Sequence, residues 1–107
     1  MNSELISKLE KWYLSRCDGE WEHGYGIKID TLDNPGWVVK IDLTENDLAV
    51  IRDVKLKVER STSDWLVLKI ENRSFVGVGG AQNLNEIVEI FFMILEGKEL
   101  SESDLRT

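Results

Sequence analysis

One cysteine, one histidine and one proline in 107 residues exclude a good deal. A single cysteine leaves no intramolecular disulfide, and with one histidine beside it a zinc site lacks ligands. Long apolar runs are missing as well. The longest, Ile90 to Leu95, falls far short of the ~20 residues a helix needs to cross a bilayer. Met1 leads into a polar, acid-containing segment rather than a basic region and an apolar stretch. No secretory signal is read there, and a cytoplasmic location is expected. Basic residues are in deficit: 13 lysines and arginines stand against 20 aspartates and glutamates, for a net charge of −7. General binding to nucleic acid or an anionic membrane requires a basic footprint, so neither is expected. The charge suits a basic protein partner.

What is present is enough for one modest core. Hydrophobic residues make up 42% of the chain and charged residues 31%, which places it among folding sequences rather than disordered ones. At this length one domain spans residues 1–107, with an ordered core over about 3–97 and a serine-rich acidic tail, 98–107, expected to fray.

Two segments carry helical spacing. In residues 3–16, Leu5, Leu9, Trp12 and Tyr13 fall on one face, Ser3 is positioned to cap, and Cys17-Asp18-Gly19 ends the helix. In the second, Asn83 followed by Glu86 has the spacing of a capping box. Leu84, Ile87, Val88, Phe91 and Leu95 form its core stripe, and Gly97 terminates it. Ile90 and Met93 lie off that stripe on the side expected to face solvent, where a homodimer contact would bury them.

Between the helices the period is two. Tyr25, Ile27 and Ile29 point one way; Trp37, Val39, Ile41 and Leu43 repeat the pattern after a turn. Asn34-Pro35-Gly36-Trp37 holds the only proline and suits a type II turn. Residues 44–53 carry mixed signals and read as a connecting loop or irregular edge. Val54, Leu56 and Val58 mark a third strand, and Leu66, Leu68 and Ile70 a fourth. After a tight turn at Asn72-Arg73, residues 75–78 form a fifth. Lysines and acids fill the opposite phase, suited to solvent. The expected fold is therefore α+β and two-layered: a five-stranded, mainly antiparallel sheet with an N-terminal and a C-terminal helix packed on one face.

Candidate chemistry is sparse. Cys17 and His23 invite a thiol nucleophile with its base, but no orienting acid or oxyanion hole accompanies them. Asp18, Glu20, Glu22 and His23 offer oxygen and imidazole ligands without the EF-hand spacing. Gly77-Val78-Gly79-Gly80 precedes a helix, yet Gln82 stands where a dinucleotide fingerprint needs glycine. Those glycines suit a close approach of strand to helix instead, and no cofactor is expected. The tryptophans divide: Trp37 shares its strand's inward phase, and Trp65 is out of phase with Leu66. Trp21 sits in an acidic loop, either as an interface anchor or folded back over the core end.

Several of these elements recur together. Trp12-Tyr13, Cys17-Asp18-Gly19 with Trp21-Glu22-His23, Tyr25-Gly26 and Asp33-Asn34-Pro35-Gly36-Trp37 come first. Asp64-Trp65, then Gly77, Gly79, Gly80, Asn83, Leu84, Glu86 and Ile87, follow. In this order and spacing they resemble the bacterial immunity protein 53 family of polymorphic toxin systems, over most of residues 10–95. Residues 44–53 depart from the pattern, as does Ala81 in place of proline. The resemblance implies a protein that binds and neutralises a cognate toxin, with no catalytic residues to carry over. The surface expected to meet that toxin comprises Asp18, Glu20, Trp21, Glu22, His23, Asp33 and Trp65. A thiol- or metal-dependent hydrolase using Cys17, His23 and nearby acids is the rival reading, and a homodimeric scaffold on the second helix a third.

Overall fold

Alternating residues build the strands, and their register shows which face each side chain takes. The computed structural model describes residues 3–51, 54–98 and 100–105. Its strands are β1 (Ile27–Leu32), β2 (Gly36–Asp42), β3 (Lys55–Glu59), β4 (Trp65–Glu71) and β5 (Ser74–Gly80). They lie in the order β1-β2-β5-β4-β3, every neighbouring pair antiparallel. From β2 the chain crosses to the far edge through a short helix, α3 (Glu45–Val50), and returns by two hairpins that seat β5 against β2. Asn72 and Arg73, at φ 51° and 67°, make the tight β4–β5 turn; the left-handed pair matches the twist that a two-residue hairpin requires.

Both long helices cover one face, as the apolar stripes predict. Inward rows such as Val39–Gly77–Leu68 and Ile41–Phe75–Ile70 cross the central strands. On them rests α4 (Leu84–Leu95), and α1 (Ser3–Arg16) packs beside it. Phe91 joins the layers, its ring centroid 5.2 Å from that of Phe75 below and 5.2 Å from that of Trp12 on α1. Each fully buried side chain of this core stabilises the fold by roughly 1.5–3 kcal/mol.

The structure corrects several local expectations. Ser3 lies within α1 rather than capping it. Tyr25 precedes β1 and is 60% exposed, and Ile29 is 39% exposed although it pairs with buried Val39. The cause is that β1 is an edge strand of the sheet, with no further strand beyond it among the described residues. Residues 33–35 form the β1–β2 loop, and Gly36 already pairs with Leu32, without the positive φ of a type II turn. Glycine is required there by close approach, since a Cβ would strike the carbonyl oxygen of Gly79 on β5.

Part of the segment read as a loop is helical. Thr44 and Asp47 form a capping box that starts α3, a Thr-x-x-acid signal visible in the sequence. Arg52 and Asp53 lie outside the described residues. Conversely, the Asn83–Glu86 capping box of α4 is not formed, because the Asn83 side chain is engaged elsewhere.

Ile90 is 1% exposed, not a solvent-facing contact for a second copy. Six residues of α4, on several sides of it, are buried, the mark of an interior helix. The chain beyond Gly97 joins the same core. It carries a last short helix, α5 (Glu102–Leu105), beside β3, and Leu105 joins the core. Thus Ile90, one of the two residues expected at a homodimer contact, belongs to the chain's own core, while Met93 is half-buried.

Candidate functional site

The loop after α1 is built by its own acids. Asp18 accepts hydrogen bonds from the backbone N–H groups of Glu20 and Trp21, both at 2.9 Å. Glu22 reaches back to accept from Asp18 N at 2.9 Å and Gly19 N at 2.9 Å. This reciprocal clamp fixes a single helical turn, α2 (Trp21–Gly24), ahead of β1. The N–H donors favour the charged carboxylates. Asp18 is held below its ordinary value chiefly by the Trp21 and Glu20 N–H groups. Glu22 is lowered first by its own N–H, against desolvation, and then by those of Asp18 and Gly19.

The clamp turns Trp21 toward the core. Its ring meets Trp12 edge-on at 6.1 Å and Tyr13 at 6.0 Å, and it packs against the core cluster as a half-buried lid. The indole N–H groups of Trp12 and Trp21 are buried without hydrogen-bond partners. Of the two roles open to Trp21, covering the core end is the one the packing fills.

The same geometry leaves other aromatics in water. A cleft of about 560 Å³ opens between α1 and the start of β1, floored by Leu9 and Ile27 and rimmed by Tyr13, His23 and Tyr25. Tyr13 is 39% exposed and Tyr25 60%. Glu10 and Glu22 line the cleft too, and Lys28 stands at its edge. Asp42, also in the wall, is engaged by Gly26 N at 2.9 Å and by the Ser74 hydroxyl at 2.7 Å. This is a preformed apolar trough with hydroxyl, imidazole and carboxylate groups on its rim.

The expected binding set does not converge. Asp18, Glu20, Trp21, Glu22 and His23 gather ahead of β1, whereas Asp33 lies in the loop beyond its far end. Six strand residues separate them, about 20 Å. Trp65 belongs to that far end and is half-buried. Cys17 donates its thiol hydrogen to the Tyr13 carbonyl at 3.3 Å, and no hydrogen bond links it to His23. Among the described residues no group of three His, Cys, Asp or Glu side chains is placed to hold a metal ion, and no helix is long and apolar enough to span a membrane.

At the far end a polar hub locks the sheet to α4. Asn83 Oδ1 accepts from Gly80 N at 3.0 Å, while its Nδ2 donates to Asp64 at 2.9 Å. Arg60 donates to both Asp64 and Glu86 and to the Leu105 carbonyl at 2.9 Å. The hydrogen bonds it donates, to Glu86 first and then to Asp64, raise the guanidinium pKa further. Gly80 must lack a side chain, because a Cβ would meet the Ser63 carbonyl oxygen. Sequence reading missed Arg60, which lies 26 residues from Glu86 and carries no local signal.

A model of the family described as Immunity protein 53 matches residues 6–96, from α1 through the whole of α4. The chain belongs to the Immunity protein 53 family. No curated protein and no solved structure matches it. The residues that carry the Immunity protein 53 resemblance now divide by the work they do. Asp64, Gly80, Asn83 and Glu86 build the hub, Asp18 and Glu22 the loop clamp, and Gly36 the β2–β5 approach. Tyr13, His23 and Tyr25 line the open cleft. In this member of the Immunity protein 53 family, those seven residues of the motif hold the fold, and three others line the cleft.

Proposed function

We propose that this chain is a non-catalytic immunity protein, acting in the cytoplasm by binding a cognate toxin domain and neutralising it. Family membership supports an immunity role in general. One structural observation carries the binding reading: Tyr25, 60% exposed, rims an open cleft beside Tyr13 on a loop fastened by its own carboxylates. Large aromatic rings kept in water on a rigid support are typical anchors of protein interfaces. The loop's preorganisation lowers the entropy lost on binding.

In this reading Tyr13, His23 and Tyr25 contact the toxin, and Glu20, exposed and outside the clamp, steers a basic partner. Trp21, Asp18 and Glu22 hold the cleft's shape from behind. The hydrolase reading finds less support, since the Cys17 thiol engages a helix carbonyl while His23 faces the cleft.

The test is isothermal titration of a cognate toxin domain, paired with survival of cells expressing that toxin. Stoichiometric binding lost or sharply weakened in Tyr25→Ala, with unchanged thermal melting, is the expected result. Full protection by a variant that no longer binds would overturn it.

A further inference from the structure

The two edges of the sheet are finished differently. Beside β3 lies the short helix α5, and Glu102 accepts from the backbone N–H of Lys57 at 3.3 Å. Along β1, Lys28, Ile29, Asp30 and Thr31 are all exposed, and no strand pairs with its outer side among the described residues. Pairing with β2 fixes which backbone groups are left over. Asp42 N donates to Gly26 O at 3.0 Å, so Gly26 and, at alternate positions, Lys28 and Asp30 turn their N–H and C=O toward β2. Ile27, Ile29 and Thr31 turn theirs outward. Thr31 N is occupied by Asp30 Oδ1 at 2.8 Å; the outward groups of Ile27 and Ile29 meet no strand among the described residues.

This edge is complementary to itself in one register. Two β1 strands paired antiparallel about a two-fold axis must set outward-facing residues opposite one another, so the axis passes at Ile27, Ile29 or Thr31. Centred on Ile29, that residue meets its own copy and Ile27 meets Thr31, each in a position that exchanges backbone hydrogen bonds. Lys28 then falls opposite Asp30 of the second copy, and Asp30 opposite Lys28. Those are the closely spaced positions without backbone bonds, where opposite charges on neighbouring strands attract. Centring on Ile27 sets Lys28 against Gly26, and centring on Thr31 sets Asp30 against Leu32. Neither makes the charge pairs. Ile29, an apolar side chain 39% exposed, lies on the favoured axis.

We propose that the β1 edge docks a second copy of this chain, antiparallel and centred on Ile29, joining two five-stranded sheets into one. The matching of charge about Ile29 names the occupant. A lysine on an edge strand ordinarily discourages pairing, but here Asp30 of the second copy neutralises Lys28. Asp30 leaves Thr31 N for that lysine, and Thr31 N donates instead to the Ile27 carbonyl of the second copy. Two chains of charge −7 repel, yet salt screens charges farther apart than about 8 Å and spares the contact pairs. Ile27 and Lys28 also line the cleft, so a seated copy and a bound toxin compete for that wall.

Sedimentation velocity of the full chain alone, at physiological salt and over about three decades of concentration, tests this without any toxin. A shift from monomer to dimer with concentration is expected, with hydrogen exchange at the Ile27 and Ile29 amides slowing as the dimer forms. Lys28→Asp and Asp30→Lys each set like charges opposite one another and should weaken the dimer at least about tenfold. Mixed in equal amounts, the two single variants should recover the wild-type association, because each carries the charges that the other lacks. Ile29→Pro removes an outward N–H, spares the bonds to β2 and should leave a monomer. A wild-type chain that stays monomeric, or single variants that associate as it does, would overturn the proposal. So would a mixture that fails to recover, or concentration-dependent protection confined to amides outside β1.

Discussion

Arg16 and Asp47 are joined by two parallel hydrogen bonds, Nε to Oδ2 at 3.1 Å and Nη2 to Oδ1 at 2.5 Å. Arg16 is the last residue of α1, and Asp47 is the capping acid of α3, 5% exposed. The same carboxylate accepts from Thr44 N at 3.0 Å, so one side chain starts α3 and ties it to α1. The guanidinium also lies 4.8 Å from the centroid of Trp12, adding a cation–π contact.

Removing that carboxylate should leave a partly buried guanidinium unpaired and a helix uncapped. Asp47→Ala is expected to cost about 2–4 kcal/mol, read as a lower urea midpoint at unchanged slope. Arg16→Lys keeps the charge and loses the fork, and should cost less. An unchanged midpoint in Asp47→Ala would show that the pair contributes nothing.

Acid should act through the same group. Burial pushes the Asp47 carboxyl up, but hydrogen bonds from Arg16 and Thr44 outweigh it and hold the group below 3.8. Asp18, Glu22 and Asp64 are lowered as well. A carboxylate whose folded pKa is depressed contributes stability above its unfolded value and loses it as pH falls through the folded one. Melting temperature should therefore stay level from pH 7 to about 5 and fall below about 4. Asp47→Asn should show a shallower acid slope in the same series of melts, and an identical slope would assign the loss to other groups.

The clamp and the cleft separate by experiment. Asp18→Asn/Glu22→Gln should increase hydrogen exchange at the amides of Asp18, Gly19, Glu20 and Trp21, whose acceptors weaken. Tyr25→Ala should leave those amides protected and speed toxin dissociation about tenfold or more. Glu20→Gln should instead slow association, most clearly at low salt. Surface-plasmon kinetics at two salt concentrations distinguish the three, and a Tyr25→Ala rate equal to wild type would remove the cleft from the interface.

Ile90→Asp places a charge in the core beneath α4. Loss of cooperative unfolding or of folded protein is expected, of the size that follows burying an unpaired charge. A folded variant, differing only in sedimentation as a smaller species, would restore the dimer contact in place of the core assignment.

The two-residue period carried the strands, and the helical stripes carried α1 and α4, because both are local consequences of how side chains project from a backbone. Thr44 and Asp47 were equally legible as a capping box, though mixed polarity hid their helix. The acids of the loop after α1 were legible as acids and not as fasteners. Whether a carboxylate faces water or a backbone N–H depends on a bend that its residue type does not specify.

Local patterning was enough to specify five strands, two long helices and one apolar sheet face, since burial periodicity is written into neighbouring residues. Tertiary structure decided which apolar residues found cover. Ile90 is buried in a core that Leu105, from beyond Gly97, also joins, while Tyr25 and Ile29 stay exposed at an edge strand. It also decided what distant residues make together. Arg16 meets Asp47 across 31 positions, and four lysines from four strands form one row only through the β1-β2-β5-β4-β3 register. Contacts of that kind depend on the path of the whole chain, and no local window of sequence contains them.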